Sequence, residues 1–203
     1  MTRPLNISDA HRCIFVHVPK AAGTSIKKAL DMPGGGHPTW MHFEKNFPER
    51  WQNYRTFSVV RNPWERLVSA FSYAQMENSH WHDGHHAKHP DFDTLKGKSF
   101  SDCVQMLIHE RDRLKHESWH PQFPWLVSHE NGQLVSKVQQ ILNCSNLEKD
   151  FANLCALWNI ECAPLGRLNQ SSHTRYRDYY DDTTKALASQ FYKVDIQLFK
   201  FDF

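Results

Sequence analysis

Apolar blocks and amphipathic segments alternate along the chain and predict alternating strands and helices. Residues 13–18 (CIFVHV) form a continuous apolar run, which is typical of a buried parallel strand. Residues 24–30 then fit a helix that ends at 32–36 (MPGGG). After a short helix near 44–52, the run at 54–60 (YRTFSVV) predicts a second strand. This order of elements indicates an α/β fold with a mainly parallel sheet.

The clearest helix is predicted over 62–76, NPWERLVSAFSYAQM. Asn62 suits the N-cap position, and a proline in the first turn is tolerated. Apolar residues recur at helical spacing and form one stripe, Trp64, Leu67, Val68 and Phe71. We therefore expect Arg66, Ser69 and Tyr73 to lie on the opposite side of this helix.

The remaining segments extend the same pattern. Further helices are predicted near 101–110, 146–158 and 183–199. The segment 133–142 is expected to be a strand, or a strand that runs into a turn. Residues 77–98, rich in His, Asp, Lys and Gly, are expected to form an exposed insertion. Neither a repeat nor a linker divides the chain, so residues 1–203 are predicted to form a single domain.

Composition gives no global electrostatic reason for a nucleic-acid partner. The 203 residues include 24 Lys and Arg against 22 Asp and Glu, so any anion site has to be local. We find neither the roughly 20 apolar residues of a membrane span nor the apolar stretch of a signal peptide. Five cysteines without a Cys-x-x-Cys pair favour free thiols in a reducing compartment. We therefore expect a cytoplasmic protein.

The segment CIFVHVPKAAGTSIKKAL, from Cys13 to Leu30, has the outline of an anion-binding loop. A strand that leads through a tight loop into a helix leaves backbone N–H groups at the helix start, where the helix dipole favours negative charge. Gly23 would let the chain approach a ligand closely, and Lys20 adds a positive charge. Thr24 and Ser25 add hydroxyl donors. The segment is suited to a phosphate or a sulfate.

The order of residues in this loop argues against a nucleoside triphosphatase. In the pattern G-x-x-x-x-G-K-[ST] the lysine follows the second glycine, whereas Lys20 comes three residues before Gly23. There is no upstream glycine, and no apolar run ending in Asp follows. The alternative to an anion site is an ordinary strand–turn–helix with a surface lysine.

A second strand–loop–helix segment, TFSVVRNPWERLVSAF, carries an arginine at its turn. Arg61 is predicted at the carboxyl end of its strand, where open α/β sheets bind ligands. Arginine can hold a phosphate through two parallel N–H bonds, and Ser69 could add a hydroxyl to the same group. The alternative is a solvated helix face with Arg61 in a surface salt bridge.

These two segments resemble the donor-binding signatures of sulfotransferases, most closely the branch that includes carbohydrate sulfotransferases and small bacterial members. Five further segments are similar to recurring features of this family: HPQFPWL (120–126), NLEKDF (146–151), LNQSS (168–172), YRDYY (176–180) and VDIQLFKFDF (194–203). The resemblance implies a three-layer P-loop-like fold with a mainly parallel central sheet flanked by helices. It also implies 3′-phosphoadenosine 5′-phosphosulfate (PAPS) as co-substrate, without a required metal.

The resemblance also implies roles for individual residues. The 5′ side of PAPS would be held by Lys20, Ala22, Gly23, Thr24 and Ser25. Its 3′-phosphate would be held by Arg61 and Ser69. A loop would close over the nucleotide with Arg167, Asn169 and Ser171. The chain departs from the family at Asn143-Cys144-Ser145, where many relatives carry Arg-Phe-Glu.

Sulfuryl transfer needs an in-line arrangement of acceptor and leaving oxygens, neutralised charge and a base for the acceptor's proton. Lys20 fits as the cation beside the leaving phosphate. His37 matches the position at which carbohydrate members of the family keep their base, and His42 and Glu44 are the alternatives. Either histidine could instead be an ordinary surface-loop residue.

The predicted function is transfer of a sulfuryl group from PAPS to a hydroxyl of a carbohydrate or other small-molecule acceptor. Rival hypotheses are a P-loop kinase-like phosphotransferase that uses ATP and Mg²⁺, and a non-catalytic scaffold that binds a nucleotide or metal. The histidines between His80 and His89 lack regular ligand spacing, so we expect an exposed loop near the acceptor rather than a metal site. The sequence leaves the acceptor and the oligomeric state open.

Overall fold

The computed structural model describes residues 5–33, 35–77, 88–161, 163, 165 and 175–203. The helices are, in chain order, α1 Gly23–Ala29, α2 Trp40–Asn46, α3 Pro48–Asn53, α4 Pro63–Ala74, α5 Phe92–Leu95, α6 Phe100–His109, α7 Leu147–Trp158, α8 Asp182–Phe191 and α9 Lys193–Phe199. Short 3₁₀ turns lie at Arg111–Arg113, Glu117–Trp119, Phe123–Trp125, Cys144–Asn146 and Tyr176–Tyr179. The strands are β1 Ile7–Ser8, β2 Cys13–Phe15, β3 Arg55–Val60, β4 Val127–Glu130, β5 Gln133–Ser136 and β6 Gln140–Asn143.

The chain divides into two compact units. The first is formed by Met1–Arg61 with Gln122–Gln170, and the second by Asn62–Pro121 with Ser171–Phe203. The single domain predicted for residues 1–203 stays a prediction. In the part of the chain that the structure describes, no helix is long and apolar enough to cross a membrane.

The first unit is built on a sheet with the strand order β1-β2-β3-β6. β2 runs parallel to β3, with Cys13 opposite Arg55, and β3 runs parallel to β6, with Val60 opposite Asn143. Only β1, at the edge, pairs in the antiparallel sense, while β4 and β5 form a separate hairpin. The predicted α/β class with a mainly parallel sheet is therefore confirmed.

Two predicted boundaries of the first unit change for local reasons. The helix expected near 44–52 is two helices, because Pro48 begins α3 after Phe47 has ended α2. The segment 133–142, expected as a strand or as a strand that runs into a turn, forms β5 and then, after a turn, β6 in a different sheet. Between them the Ser136 hydroxyl bonds the backbone of Val138, to its oxygen at 2.8 Å and from its nitrogen at 3.3 Å, and turns the chain.

In the second unit, α4 begins where the sequence predicts, since the Asn62 side chain accepts hydrogen bonds from the backbone of Trp64 and Glu65. The side of this helix opposite the apolar stripe is not solvated at Arg66 and Ser69, which are 1% and 6% exposed. The Arg66 guanidinium donates to the carbonyl oxygens of Ser118, at 3.0 Å, and His120. Burial of an arginine is tolerated here because backbone acceptors replace water.

Part of the expected exposed insertion is buried. Residues 78–87, with His80, His82, His85 and His86, lie outside the described residues. Next to them, Phe92 and Leu95 of α5 are 2% and 0% exposed, so this part of the prediction is wrong. Asp91 is fully buried and accepts from the indole N–H of Trp119 at 2.7 Å and from two backbone N–H groups. This carboxylate ties α5 to the segment 115–119.

The cysteines differ from the expectation of free thiols only. Cys155 is disulfide-bonded, whereas Cys13 and Cys103 are buried free thiols. Burial raises the pKa of the Cys13 thiol to about 12. The argument for a reducing compartment, which rested on free thiols, therefore loses its basis, and the cytoplasmic location stays a prediction.

The tightest part of the first unit is the loop between β2 and α1. Lys20 and Ala22 both have left-handed backbones, with φ of 65° and 58°. Such conformations cost non-glycine residues about 1–3 kcal/mol each. At Gly23, a Cβ atom would lie only 1.8 Å from Nε2 of His17. The glycine is therefore required because the imidazole of His17 occupies the space that a side chain would need.

We predict that Gly23→Ala lowers the free energy of unfolding by about 1–3 kcal/mol, as overpacking does in other cores. Urea denaturation of the wild type and of the variant measures this change. In a His17→Ala background the same substitution should cost much less, because the clashing ring is gone. Costs that simply add in the double variant would contradict the assignment.

Candidate functional site

The site begins with two cations that follow neighbouring strands. The segment 16–22 follows β2, and Arg61 follows β3, so parallel pairing brings both to the same edge of the sheet. There an Nη1–H of Arg61 donates to the backbone oxygen of Lys20 at 3.3 Å. The structure thus brings together Lys20 and Arg61, which the sequence singles out on separate motifs.

The positive charge on Lys20 is costly at this place. Burial, together with the nearby Arg61 guanidinium, lowers the pKa of Lys20 to about 7. Desolvation and a like charge both disfavour the ammonium form, and an anion bound beside the two cations would reverse both effects. The arrangement therefore suits a ligand that carries negative charge.

The other residues of the predicted loop lie at the start of α1. Ala22 is its N-cap, and the buried residues Gly23 and Ser25 lie in its first turn. Thr24 is exposed, and the first turn contains no acidic residue. The backbone N–H groups of this first turn point out of the start of α1, as in anion-binding loops.

His17 is a site residue that the sequence reasoning missed. Its ring is 6% exposed, stacks on Phe15 at 5.2 Å and lies 4.4 Å from the ring of His37, between centroids. Among the described residues Nδ1 has no hydrogen-bond partner, while the ring bonds the backbone of Gly36. A polar residue inside the apolar run CIFVHV was the signal that could have revealed it.

His17 is a neutral imidazole. Burial lowers its pKa well below the ordinary value, and electrostatic interactions with His37, Lys27 and Lys20 act in the same direction. The hydrogen bond to Gly36 opposes them only in part. An uncharged ring therefore packs beside both His37 and the cationic loop.

The geometry separates the three candidates for the base. His37 is half-buried in the loop before α2, and its carbonyl oxygen accepts from the indole N–H of Trp125 at 2.8 Å. His42 is exposed on α2, where its ring lies 3.3 Å from the Asn46 amide. Glu44 is exposed on the same helix. Of the three, only His37 is in contact with His17.

Gln122 is the second residue that the sequence reasoning missed. Its side chain is fully buried and bonds the backbone of Arg61 twice. Oε1 accepts from the Arg61 N–H at 2.9 Å, and Nε2 donates to the Arg61 oxygen at 2.8 Å. The motif HPQFPWL contained this residue, but nothing in it indicated an arginine partner.

Several predicted site residues are not brought into this arrangement. Arg167, Asn169 and Ser171 lie outside the described residues. Ser69 belongs to α4 in the second unit. The departure at 143–145 has a local structural role, because the Asn143 side chain accepts from the backbone N–H of Ser145 at 3.0 Å.

The described residues contain no group of three or more His, Cys, Asp or Glu side chains arranged to hold a metal ion. What they do contain is a pair of cations at a helix start, a neutral buried imidazole and a second, half-buried histidine. Such a set can bind a polyanion and accept a proton.

Comparison with known proteins agrees with this chemistry. A family model described as "Sulfotransferase family" matches residues 3–202. Carbohydrate sulfotransferase 10 from Xenopus laevis is 33% identical in an alignment of 85 residues, and the match covers 32% of this chain and 24% of that protein. The chain thus matches well under two thirds of that relative's length. Because the family match extends over nearly all residues, the chain belongs to the sulfotransferase family.

Proposed function

We propose that the protein transfers a sulfuryl group from PAPS to a hydroxyl of a carbohydrate acceptor. The observation that carries this proposal is the contact between Lys20 and Arg61 at the start of α1. PAPS is a multiply charged anion, and its binding would compensate the two cations that the fold brings together. Family membership supports the same donor.

The loop is P-loop-like in its order of strand, tight turn and helix, but its lysine precedes the glycine. In the proposed complex Lys20 and the N–H groups of Gly23, Thr24 and Ser25 hold the 5′ phosphosulfate. Arg61 holds the 3′-phosphate through its guanidinium. The contributions of Ser69, Arg167, Asn169 and Ser171 remain predictions from the family resemblance.

In the proposed reaction the acceptor oxygen attacks sulfur and the bond between sulfur and the 5′-phosphate oxygen breaks. The leaving 3′-phosphoadenosine 5′-phosphate (PAP) keeps the electron pair, and Lys20 offsets its developing negative charge. His37 takes the proton of the acceptor hydroxyl. The neutral ring of His17 packs beside it, with 4.4 Å between the ring centroids.

The carbohydrate acceptor is inferred from the name of the relative and from family analogy. It is therefore tested with a panel that contains oligosaccharides, simple alcohols and amines. Labelled PAPS reports transfer to any of them.

We predict that PAP raises the melting temperature of the protein and that ADP with Mg²⁺ does not, because only PAP carries a 3′-phosphate for Arg61. A ligand at 100 times its Kd stabilises by about 2.7 kcal/mol, which a thermal-shift assay detects readily. Arg61→Met should lose most of the shift. An equal shift with ADP and Mg²⁺ would favour the phosphotransferase hypothesis, and no shift with either would favour a scaffold.

We predict that PAP binding weakens as the pH rises above 7. Lys20, whose pKa is about 7 in the free protein, has to be protonated to bind the anion, so Kd should rise by up to tenfold per pH unit. Isothermal titration calorimetry from pH 7 to 9, in buffers of different ionisation enthalpy, should detect proton uptake on binding.

Lys20→Arg is the matched control for this pH dependence. The arginine keeps its charge over the whole range, so the slope of Kd with pH should disappear while binding persists. A wild type without the slope, or an arginine variant that keeps it, would exclude Lys20 as the titrating group.

We predict that His37→Ala reduces transfer by about 10²–10⁴-fold, the usual contribution of a general base, while Kd for PAP changes less than twofold. His42→Ala should retain near-wild-type turnover, because His42 is exposed on α2. Turnover is measured with labelled PAPS and the acceptor that the panel identifies. The opposite ranking of the two variants would assign the base to His42.

A further inference from the structure

One short turn of the first unit is bonded to two different site residues. It consists of Gln122 and the 3₁₀ turn Phe123–Trp125, and we call it the 122–125 turn. At its start the Gln122 amide bonds the backbone of Arg61, at 2.9 and 2.8 Å. At its end the Trp125 indole N–H donates to the carbonyl oxygen of His37 at 2.8 Å.

We propose that the 122–125 turn is a positioning element that holds Arg61 and His37 at a fixed separation. Gln122 and Trp125 contact the backbones of these residues and act through them. The chemical consequence rests on the proposed function, in which Arg61 binds the donor and His37 takes the proton. The positioning itself is a property of the fold.

Gln122 supplies the hydrogen-bond partners of the Arg61 backbone where the sheet ends. The pairing of β3 with β6 ends at Val60 and Asn143, so the next peptide groups need other partners. The Gln122 amide supplies one acceptor and one donor, and it is 0% exposed. These two hydrogen bonds to the main chain set the direction in which the Arg61 side chain leaves the strand.

Trp125 fixes a segment that has little intrinsic rigidity. His37 follows Gly35 and Gly36, whose φ angles are 92° and 61°. Glycines at positive φ give the chain many alternative paths in this loop. The Trp125 ring is 5% exposed, so its N–H is held in a defined place when it bonds the His37 oxygen.

Hydrogen bonds within the 122–125 turn hold its two ends at a fixed distance from each other. Its backbone closes with bonds from Trp125 N–H to the Gln122 oxygen, at 3.1 Å, and from Leu126 N–H to the Phe123 oxygen, at 2.9 Å. The Leu126 oxygen then accepts from the Lys137 N–H at 2.8 Å, beyond the β4–β5 hairpin. Transfer chemistry is sensitive to placement at the scale of about 1 Å, so this bracing bears directly on rate.

The proposal predicts different effects of substitutions at the two ends. Gln122→Met keeps the volume and removes both bonds to Arg61, so Kd for PAP should rise about tenfold while the NMR signal of the His37 ring stays in place. Trp125→Phe removes the bond to His37, so that signal should move while Kd stays within twofold. His37→Ala identifies the signal.

Turnover gives a second separation of the two ends. Trp125→Phe should lower kcat about tenfold at saturating PAPS, an effect that vanishes in a His37→Ala background. Gln122→Met should act mainly through KM for PAPS. Trp40→Phe is the matched control, since it removes an indole bond of 3.1 Å to Val127 in the same unit and should leave Kd, the His37 ring signal, kcat and KM unchanged.

The outcomes distinguish this inference from the proposed function. A wild type that binds no PAP would refute the proposed function, while the His37 ring signal and the Arg61 amide signal still test the positioning. Equal changes of all readouts in both variants, or none, would overturn the positioning role. If Gln122→Met does not fold, Gln122→Glu, which keeps the acceptor for the Arg61 N–H, replaces it with the same expected separation.

Discussion

Parallel pairing of β2 with β3 brings two positive charges to one edge of the sheet, and the rest of the site depends on it. The register sets Cys13 opposite Arg55, so the two strands end close together and deliver Lys20 and Arg61 side by side. Burial, together with the nearby Arg61 guanidinium, lowers the pKa of Lys20 to about 7. These two like charges lie close together at a loop whose backbone is itself strained at Lys20 and Ala22.

The strain and the like charges point to the same ligand chemistry. Left-handed Lys20 and Ala22 keep the loop tight against the start of α1, and the ring of His17 fills the space over Gly23. An anion bound beside the two cations would favour the charged form of Lys20. Strained backbone and a shifted pKa are often found together at sites where binding or catalysis occurs.

Around this centre, side chains bonded to main-chain groups provide the rigidity. Gln122 and Trp125 bond the backbones of Arg61 and His37, so both residues are held through their main chains. In the second unit, Arg66 and Asp91 work the same way, as buried charged groups whose partners are largely backbone. Such hydrogen bonds hold in place segments that lie outside helices and sheets.

Local sequence was sufficient for the main strands and helices around the site and for Lys20 and Arg61 as its candidates, but not for His17 and Gln122. Short-range preferences along the chain predict the strand in the apolar run 13–18 and the capped helix after Asn62. Motif spacing, in the order of Lys20 and Gly23, predicts the anion-binding loop. Only the tertiary structure decided that Lys20 and Arg61 touch, that His17 packs on Gly23, and that Gln122 bonds Arg61. It also decided that Arg66 is buried rather than solvated. These contacts join residues from separate segments, and their free energy depends on burial and distance, which periodicity and motif spacing do not encode.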